Sequence, residues 1–277
     1  MTAVVVANGI AKLFGELLAV DDLTIAVEAG EVLGMLGPNG AGKTTAVRML
    51  TTILKPSRGS FAVAGIPHTR PEEIRRRIGV LPESAGYPGG QTGEQYLTYH
   101  ARLYGHRPRR AQELARSLLD ELGLLERSRS QISTYSRGMR QRLGIARALV
   151  NDPVAVFLDE PTLGLDPAGQ RQVLRSVRTI ARERGAAVLL STHLLNEVEE
   201  NCSHVLILNG GRGIAEGTVS EVVSRAAAPR RVRLQVAPEE AERAAAVLAQ
   251  VPGVGHVTVA EGDSGRLSAE LDAHGRS

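Results

Sequence analysis

The chain has 277 residues, 43% of them apolar, and a formal net charge of +3. That length accommodates one large domain, or a domain of about 200 residues with a small appendage. Aromatic residues at 3% and the lack of Trp argue against a stacking platform for single-stranded bases, and so mild a charge does not select nucleic acid or an anionic membrane as partner.

The first strand-like segments are AVVVA at the N-terminus, LTIAVEAG and EVLGMLG. The third runs straight into a glycine-rich loop, and the sequence predicts a helix over 43–54, ending before Pro56. This strand–loop–helix unit belongs to an α/β fold. SFAVAG (60–65) and IGVLP (78–82) are further short strands. From about 91 to 150 the pattern is helical, with GEQYLTYHARLYG and RRAQELARSLLDELGLL both amphipathic. PVAVFLDE then reads as a buried strand, followed by a helix over about 168–184 and a second buried strand, AAVLLST. Near-continuous apolar strands alternating with helices predict a parallel sheet covered on both faces. HVLILNGGRGIAEG is expected to form a terminal hairpin.

SRAAAPRR (224–231) reads as a linker. It separates a main domain, 1–228, from a small C-terminal βαββ appendage, 229–277, which is too small to build much of a core alone. Cys202 is the only cysteine, which leaves no disulfide or cysteine-rich metal site within one chain. MTAVVVANGIAK has no basic segment before a long apolar stretch, so no signal peptide is expected. The apolar runs fall far short of the roughly 18 residues that a spanning helix needs. The chain is therefore expected to be soluble and to reach a membrane only through another protein.

Of the 33 basic residues only Lys12, Lys43 and Lys55 are lysines. Lys43 sits in GPNGAGKTT, which matches G-x-x-x-x-G-K-[ST] from Gly37 to Thr44. The glycines let the backbone wrap closely around a polyphosphate. Successive N–H groups and a helix N-terminus then point at the anion. Lys43 would reach the β and γ phosphates as a compact ammonium where a planar guanidinium does not fit. The Thr44 hydroxyl would sit on Mg²⁺.

VAVFLDEP delivers Asp159 and Glu160 at the end of a buried strand, where open α/β sheets bind ligands. Asp159 is placed to hold the hydration shell of Mg²⁺, and Glu160 to act as general base toward an attacking water. His193 follows AAVLLST in the same end-of-strand position. Paired acids also serve as ordinary helix starts, and a lone His as a structural hydrogen-bonder, so these residues alone leave both readings open.

At TYSRGMRQRLGIARALVNDPVAVFLDEPTLGLD the sequence resembles the nucleotide-binding subunits of ATP-binding cassette (ABC) transporters, and the resemblance covers roughly residues 4–225. Gly37, Pro38, Asn39, Gly40, Ala41, Gly42, Lys43, Thr44 and Thr45 match the phosphate loop. Ser136-Arg137-Gly138-Met139 with Gln141 stands at the family signature, and Leu158-Asp159-Glu160 at the second nucleotide motif. Gly164-Leu165-Asp166 matches the D-loop and Ser191-Thr192-His193 the switch histidine. Phe14 precedes Gly37 by the distance expected of the aromatic that stacks on adenine. The resemblance implies a P-loop NTPase core with an antiparallel β subdomain and a helical subdomain at about 84–150. It also implies ATP and Mg²⁺ as ligands, with Thr44, Asp159 and Glu83 toward the metal.

Two departures stand out. Glu83 replaces the usual Gln, adding a negative charge near the phosphates. In the signature, Tyr135 and Arg137 replace the usual Leu and first Gly, and Met139 the usual Gln. Arg137 either adds charge stabilisation or points to solvent. The wording LPES and YSRGM is similar to ATPases of ABC-2 type exporters, including the daunorubicin type. That resemblance implies two subunits sandwiching two ATPs, Ser136 and Gly138 of one completing the phosphate loop of the other. It also implies a separate permease at the cytoplasmic face of a bacterial membrane and no nucleic-acid partner. A repair ATPase would carry coiled-coil or zinc insertions, for which Thr44 to Ser136 leaves no room, and translation factors usually carry two cassettes. A hydrolytically dead cassette is disfavoured by Lys43, Asp159, Glu160 and His193, and an importer remains an alternative.

Overall fold

Strands that are apolar from end to end must be buried on both faces, and the architecture follows from satisfying that demand. The computed structural model of the chain describes residues 3–227, 230–259 and 265–271. The chain divides into two compact units, Met1–Val219 and Ser220–Ser277. The boundary expected at residue 228 lies outside the described residues.

In the first unit, β1 (Val5–Phe14) and β2 (Leu17–Val27) form an antiparallel hairpin, with Leu23, Ile25 and Val27 turned inward at period two. β3 (Val32–Leu36) leads through the glycine loop into α1 (Lys43–Leu50). This helix is shorter than the predicted 43–54, and the run Thr51-Thr52-Ile53 ends it. The Thr51 hydroxyl donates back to the Val47 carbonyl at 2.8 Å, Thr52 adopts a φ of 62°, and the Ile53 and Leu54 N–H groups both turn to the Arg48 carbonyl. β4 (Arg58–Val63) and β5 (Ile66–Pro67) complete a four-stranded sheet in the order β2-β1-β4-β5.

After the single turn α2 (Pro71–Arg75), β6 (Ile78–Leu81) enters the main sheet. Three helices follow, α3 (Gly93–Leu103), α4 (Pro108–Glu121) and α5 (Arg137–Leu149), and each start is chemically marked. Thr92 and Gln95 form a capping box, Pro108 opens α4, and the Ser136 side chain caps α5. β7 (Ala155–Asp159), α6 (Pro167–Arg184), β8 (Ala187–Thr192), α7 (Leu195–Asn201), β9 (His204–Asn209) and β10 (Arg212–Thr218) complete the unit. The main sheet runs β10-β9-β3-β8-β7-β6, parallel throughout except for the antiparallel β10 edge, which is the expected hairpin. α8 (Val219–Ala227) occupies the first residues of the stretch read as a linker.

The second unit contains β11 (Arg230–Gln235), a 3-10 turn at Pro238–Glu240, α9 (Ala241–Leu248), β12 (Val254–Val259) and β13 (Arg266–Leu271). Its antiparallel sheet has the order β11-β13-β12, with α9 against β12 and β13. Among the described residues no helix is long and apolar enough to cross a membrane.

The main sheet separates two cores. Val156 and Leu158 of β7, with Val188 and Leu190 of β8, pack beneath the helices with Leu97, Leu118 and Leu143. Phe157 and Leu189 point the other way, joining Met35, Met49 and Ile25. Strand parity then sends the next residues in that second series, Asp159 and Ser191, to the side where α1 lies. The site grows from that placement.

Candidate functional site

The loop from Gly37 to Thr45 is shaped by positions that exclude a side chain. A Cβ on Gly37 would stand 2.4 Å from the Leu208 carbonyl oxygen, and one on Gly42, at φ 101°, would stand 2.6 Å from that of Ala19. Backbone amides can therefore approach a ligand closely, and α1 begins at once with its N-terminal N–H groups directed to the cleft. Lys43 is only 5% exposed. Its ammonium donates to the carbonyls of Gly37 at 2.7 Å and Pro38 at 3.2 Å, and pairs with Glu160 Oε1 at 3.3 Å.

At the end of β7, Asp159 is buried and accepts hydrogen bonds from the hydroxyls of Thr44, at 3.3 Å, and Ser191. Glu160 has a φ of 48°, an uncommon conformation for a residue with a side chain. Its N–H is held by both the carbonyl and the hydroxyl of Ser191 at 3.1 Å, and its own carbonyl accepts from Leu163 N–H. Such strain persists where the surroundings over-determine it. The turn brings the Glu160 carboxylate to the loop, so Oε1 reaches Lys43 and Oε2 meets His193 Nδ1 at 2.9 Å. Lys43, Glu160 and the exposed His193 thus form a continuous chain of polar contacts.

These groups border a cleft of about 400 Å³ lined by Ala19, Asn39 to Thr45, Glu83, Glu160, Leu163 and His193. Its chemistry is that of an anion cradle facing carboxylates: amides and one ammonium on one wall, general-base candidates on the other. A larger groove of about 920 Å³ lies between α3 and α4, away from these groups.

Several expected site residues stand elsewhere. Phe14 closes β1, 46% exposed, with the Lys12 ammonium 5.3 Å from its ring centre; it does not line the cleft. Ser136, at the start of α5, accepts from Met139 N–H at 3.2 Å, and Gly138 lies beside Leu165. Asp166 caps α6 by accepting from Gly169 N–H at 3.2 Å. None of these three lines the cleft. The exposed Arg137 lies over Gly164, so close that a Cβ there would meet its guanidinium carbon at 2.7 Å. Its neighbour is thus a glycine with φ 69°. Gln141 donates to the Pro161 carbonyl at 3.0 Å, tying α5 to the turn after Glu160.

Sequence reasoning did not single out Ala19, Leu163 or the anchoring part played by Ser191. For Ser191 the signal depends on sheet register, which pairs it with Asp159.

The ABC transporter family model matches residues 20–163. A daunorubicin/doxorubicin resistance ATP-binding protein of Streptomyces peucetius is 40% identical over 273 residues, spanning 98% of this chain and 82% of that relative. A bacitracin transport ATP-binding protein of Bacillus licheniformis is 36% identical over 217 residues, spanning 78% of this chain and 70% of its own length. The solved structure of an ATP binding subunit of an ABC transporter superposes with a TM-score of 0.71 at 30% identity, covering 80% of this chain and 92% of that one.

The buried Asp159 carboxylate makes Ser191 a stability determinant. Ser191→Ala removes one of its two donors and is expected to cost about 1–3 kcal/mol of unfolding free energy. Urea denaturation measures this, and an unchanged midpoint would show that Thr44 alone satisfies Asp159.

Proposed function

Because the chain belongs to the ABC transporter family, we propose that it is the ATP-binding and ATP-hydrolysing subunit that powers export of a drug, antibiotic, lipid or similar substrate through a separate membrane permease. The observation that carries this reading is the convergence of Lys43, Thr44, Glu160 and His193 on one glycine-lined cleft, with Asp159 bonded to the Thr44 hydroxyl though outside the lining. Drug-resistance and antibiotic-transport relatives favour export over import.

In this reading the amides of Gly37 to Thr45 wrap the phosphates, and Lys43 meets the β and γ phosphates. Glu160 and an incoming phosphate are acceptors for the same ammonium, so nucleotide binding exchanges one partner for the other. Glu160 then takes the proton of the water that attacks the γ-phosphate, with His193 holding its second oxygen. Phe14, exposed at the end of β1 and outside the lining of the cleft, is the aromatic this reading assigns to adenine.

Thr44 and Glu83 line the cleft and Asp159 accepts from the Thr44 hydroxyl, a set of oxygen donors whose chemistry a magnesium ion selects. Among the described residues no three His, Cys, Asp or Glu side chains form a metal cage, so the ion would share its coordination with substrate phosphates, as Mg²⁺ commonly does. Bound there, it supplies charge neutralisation at the phosphate oxygens.

Ser136, Gly138 and Asp166 lie outside the cleft, which supports their use by a second ATPase subunit in a nucleotide-sandwich dimer. The permease, of the ABC-2 type, holds the chain at the cytoplasmic face of a bacterial membrane. Exposed Tyr99 and Leu103 beside the α3–α4 groove support the helical subdomain as the surface it contacts.

Glu160→Gln is expected to bind ATP but accumulate as a nucleotide-bound dimer, seen by gel filtration with ATP; hydrolysis at the wild-type rate would sink the general-base assignment. Lys43→Arg is expected to weaken nucleotide binding by about tenfold or more, since charge-assisted hydrogen bonds are each worth about 1.5–3 kcal/mol. Calorimetry showing unchanged affinity would refute the steric argument. Tyr99→Glu with Leu103→Glu is expected to reduce co-purification with the permease from solubilised membranes by about tenfold or more; full recovery of the complex would move the contact elsewhere.

A further inference from the structure

Directly behind His193 lies a carboxylate that the hydrolytic scheme does not use. Glu197, on α7, is 2% exposed, and Thr192 is fully buried. The Thr192 hydroxyl donates to Glu197 Oε2 at 2.7 Å and accepts from Leu194 N–H at 3.1 Å. The residues on both sides of His193 are therefore tied to one buried acid. Its other oxygen, Oε1, is buried with no hydrogen-bond partner among the described residues.

A simple helix start does not need this arrangement. In a capping box the third helical residue reaches the N-cap N–H directly; here Glu197 reaches it through a threonine hydroxyl. Leaving a buried carboxylate oxygen unpaired is unfavourable, and its field is felt nearby. Burial first, and the Glu197 charge second, push the Cys202 thiol up to about 12. The Asn201 amide donates to the Glu197 carbonyl at 2.8 Å, fixing the helix that carries it.

We propose that Glu197 is a positioning residue for ATP hydrolysis: acting through the Thr192 hydroxyl, it holds the 192–194 peptide so that His193 stays against Glu160. The inference rests on the roles given above to Glu160 and His193. Misplacing a catalytic group by about 1 Å can cost a hundredfold in rate, whereas nucleotide binding depends on the loop and Lys43, which Glu197 does not touch. The effect therefore falls on kcat and not on KM.

The test is steady-state ATP hydrolysis by the full chain. Thr192→Val is expected to lower kcat by about tenfold, with KM for ATP within about twofold of wild type, and Thr192→Ser to restore the rate. In a His193→Ala background, Thr192→Val should cost nothing further, because the relay has lost the group it serves. A merely structural hydroxyl would instead lower kcat by the same factor in both backgrounds, and that result overturns the proposal. So does a wild-type kcat in Thr192→Val, or a failure of Thr192→Ser to restore it. Thr192→Ala, which is smaller than the native side chain and introduces no clash, reads the same way if the valine variant does not fold. Glu160→Gln in the same assay separates the two levels. A fully active Glu160→Gln overturns the base assignment and this inference with it. An inactive Glu160→Gln beside a fully active Thr192→Val overturns the positioning role alone.

Discussion

The pairing of Asp159 with Ser191 across β7 and β8 is the contact on which the site depends. Both strands are buried along their whole length, so their alternation assigns every side chain to one of two cores. A slip of one residue would exchange Phe157 with Leu158 between those cores and swing Asp159 away from Thr44. Apolar packing and site geometry are therefore one constraint. The same Ser191 holds the N–H of Glu160 in its left-handed turn, so the register also decides where that carboxylate points.

What the packing achieves is a set of buried charges with assigned partners. Lys43, Asp159 and Glu160 are each almost fully buried, a placement that is unfavourable unless hydrogen bonds and opposite charges compensate. Here Lys43 has two loop carbonyls and Glu160, Glu160 has Lys43 and His193, and Asp159 has two hydroxyls. Removal from water strengthens each interaction and leaves the groups already oriented, the condition under which charges are most effective toward a reacting phosphate. A lysine suits this position because its donors converge on one point. The other two lysines have a surface role, with the Lys12 ammonium donating to the Lys55 carbonyl at 2.9 Å.

The surface completes the picture. Ser136 and Gly138 sit at the start of α5, outside the cleft, beside the segment from Gly164 to Asp166 that follows Glu160. In the proposed dimer a subunit thus supplies the loop for one nucleotide and the signature for the other. Gln141 reaches from α5 to the Pro161 carbonyl and Arg137 lies over Gly164, so the signature is tied within one chain to the stretch that follows Glu160.

The sequence by itself determined the local chemistry: glycines where backbone must approach a phosphate, a lysine and a threonine at a helix start, carboxylates at the end of an apolar strand. It also determined the parallel sheet, because continuous apolar strands admit no solvated face. Helix ends were less legible, as the early stop of α1 at Thr51 shows, since a hydroxyl bonding backward competes with propagation. Only the tertiary structure decided which side chains meet. Ser191 anchors Asp159 through strand register, and Glu197 reaches the histidine turn through Thr192. Separations in sequence do not encode contacts of that kind; the first exists because β7 and β8 pair in one register, the second because α7 folds back against β8 and β3.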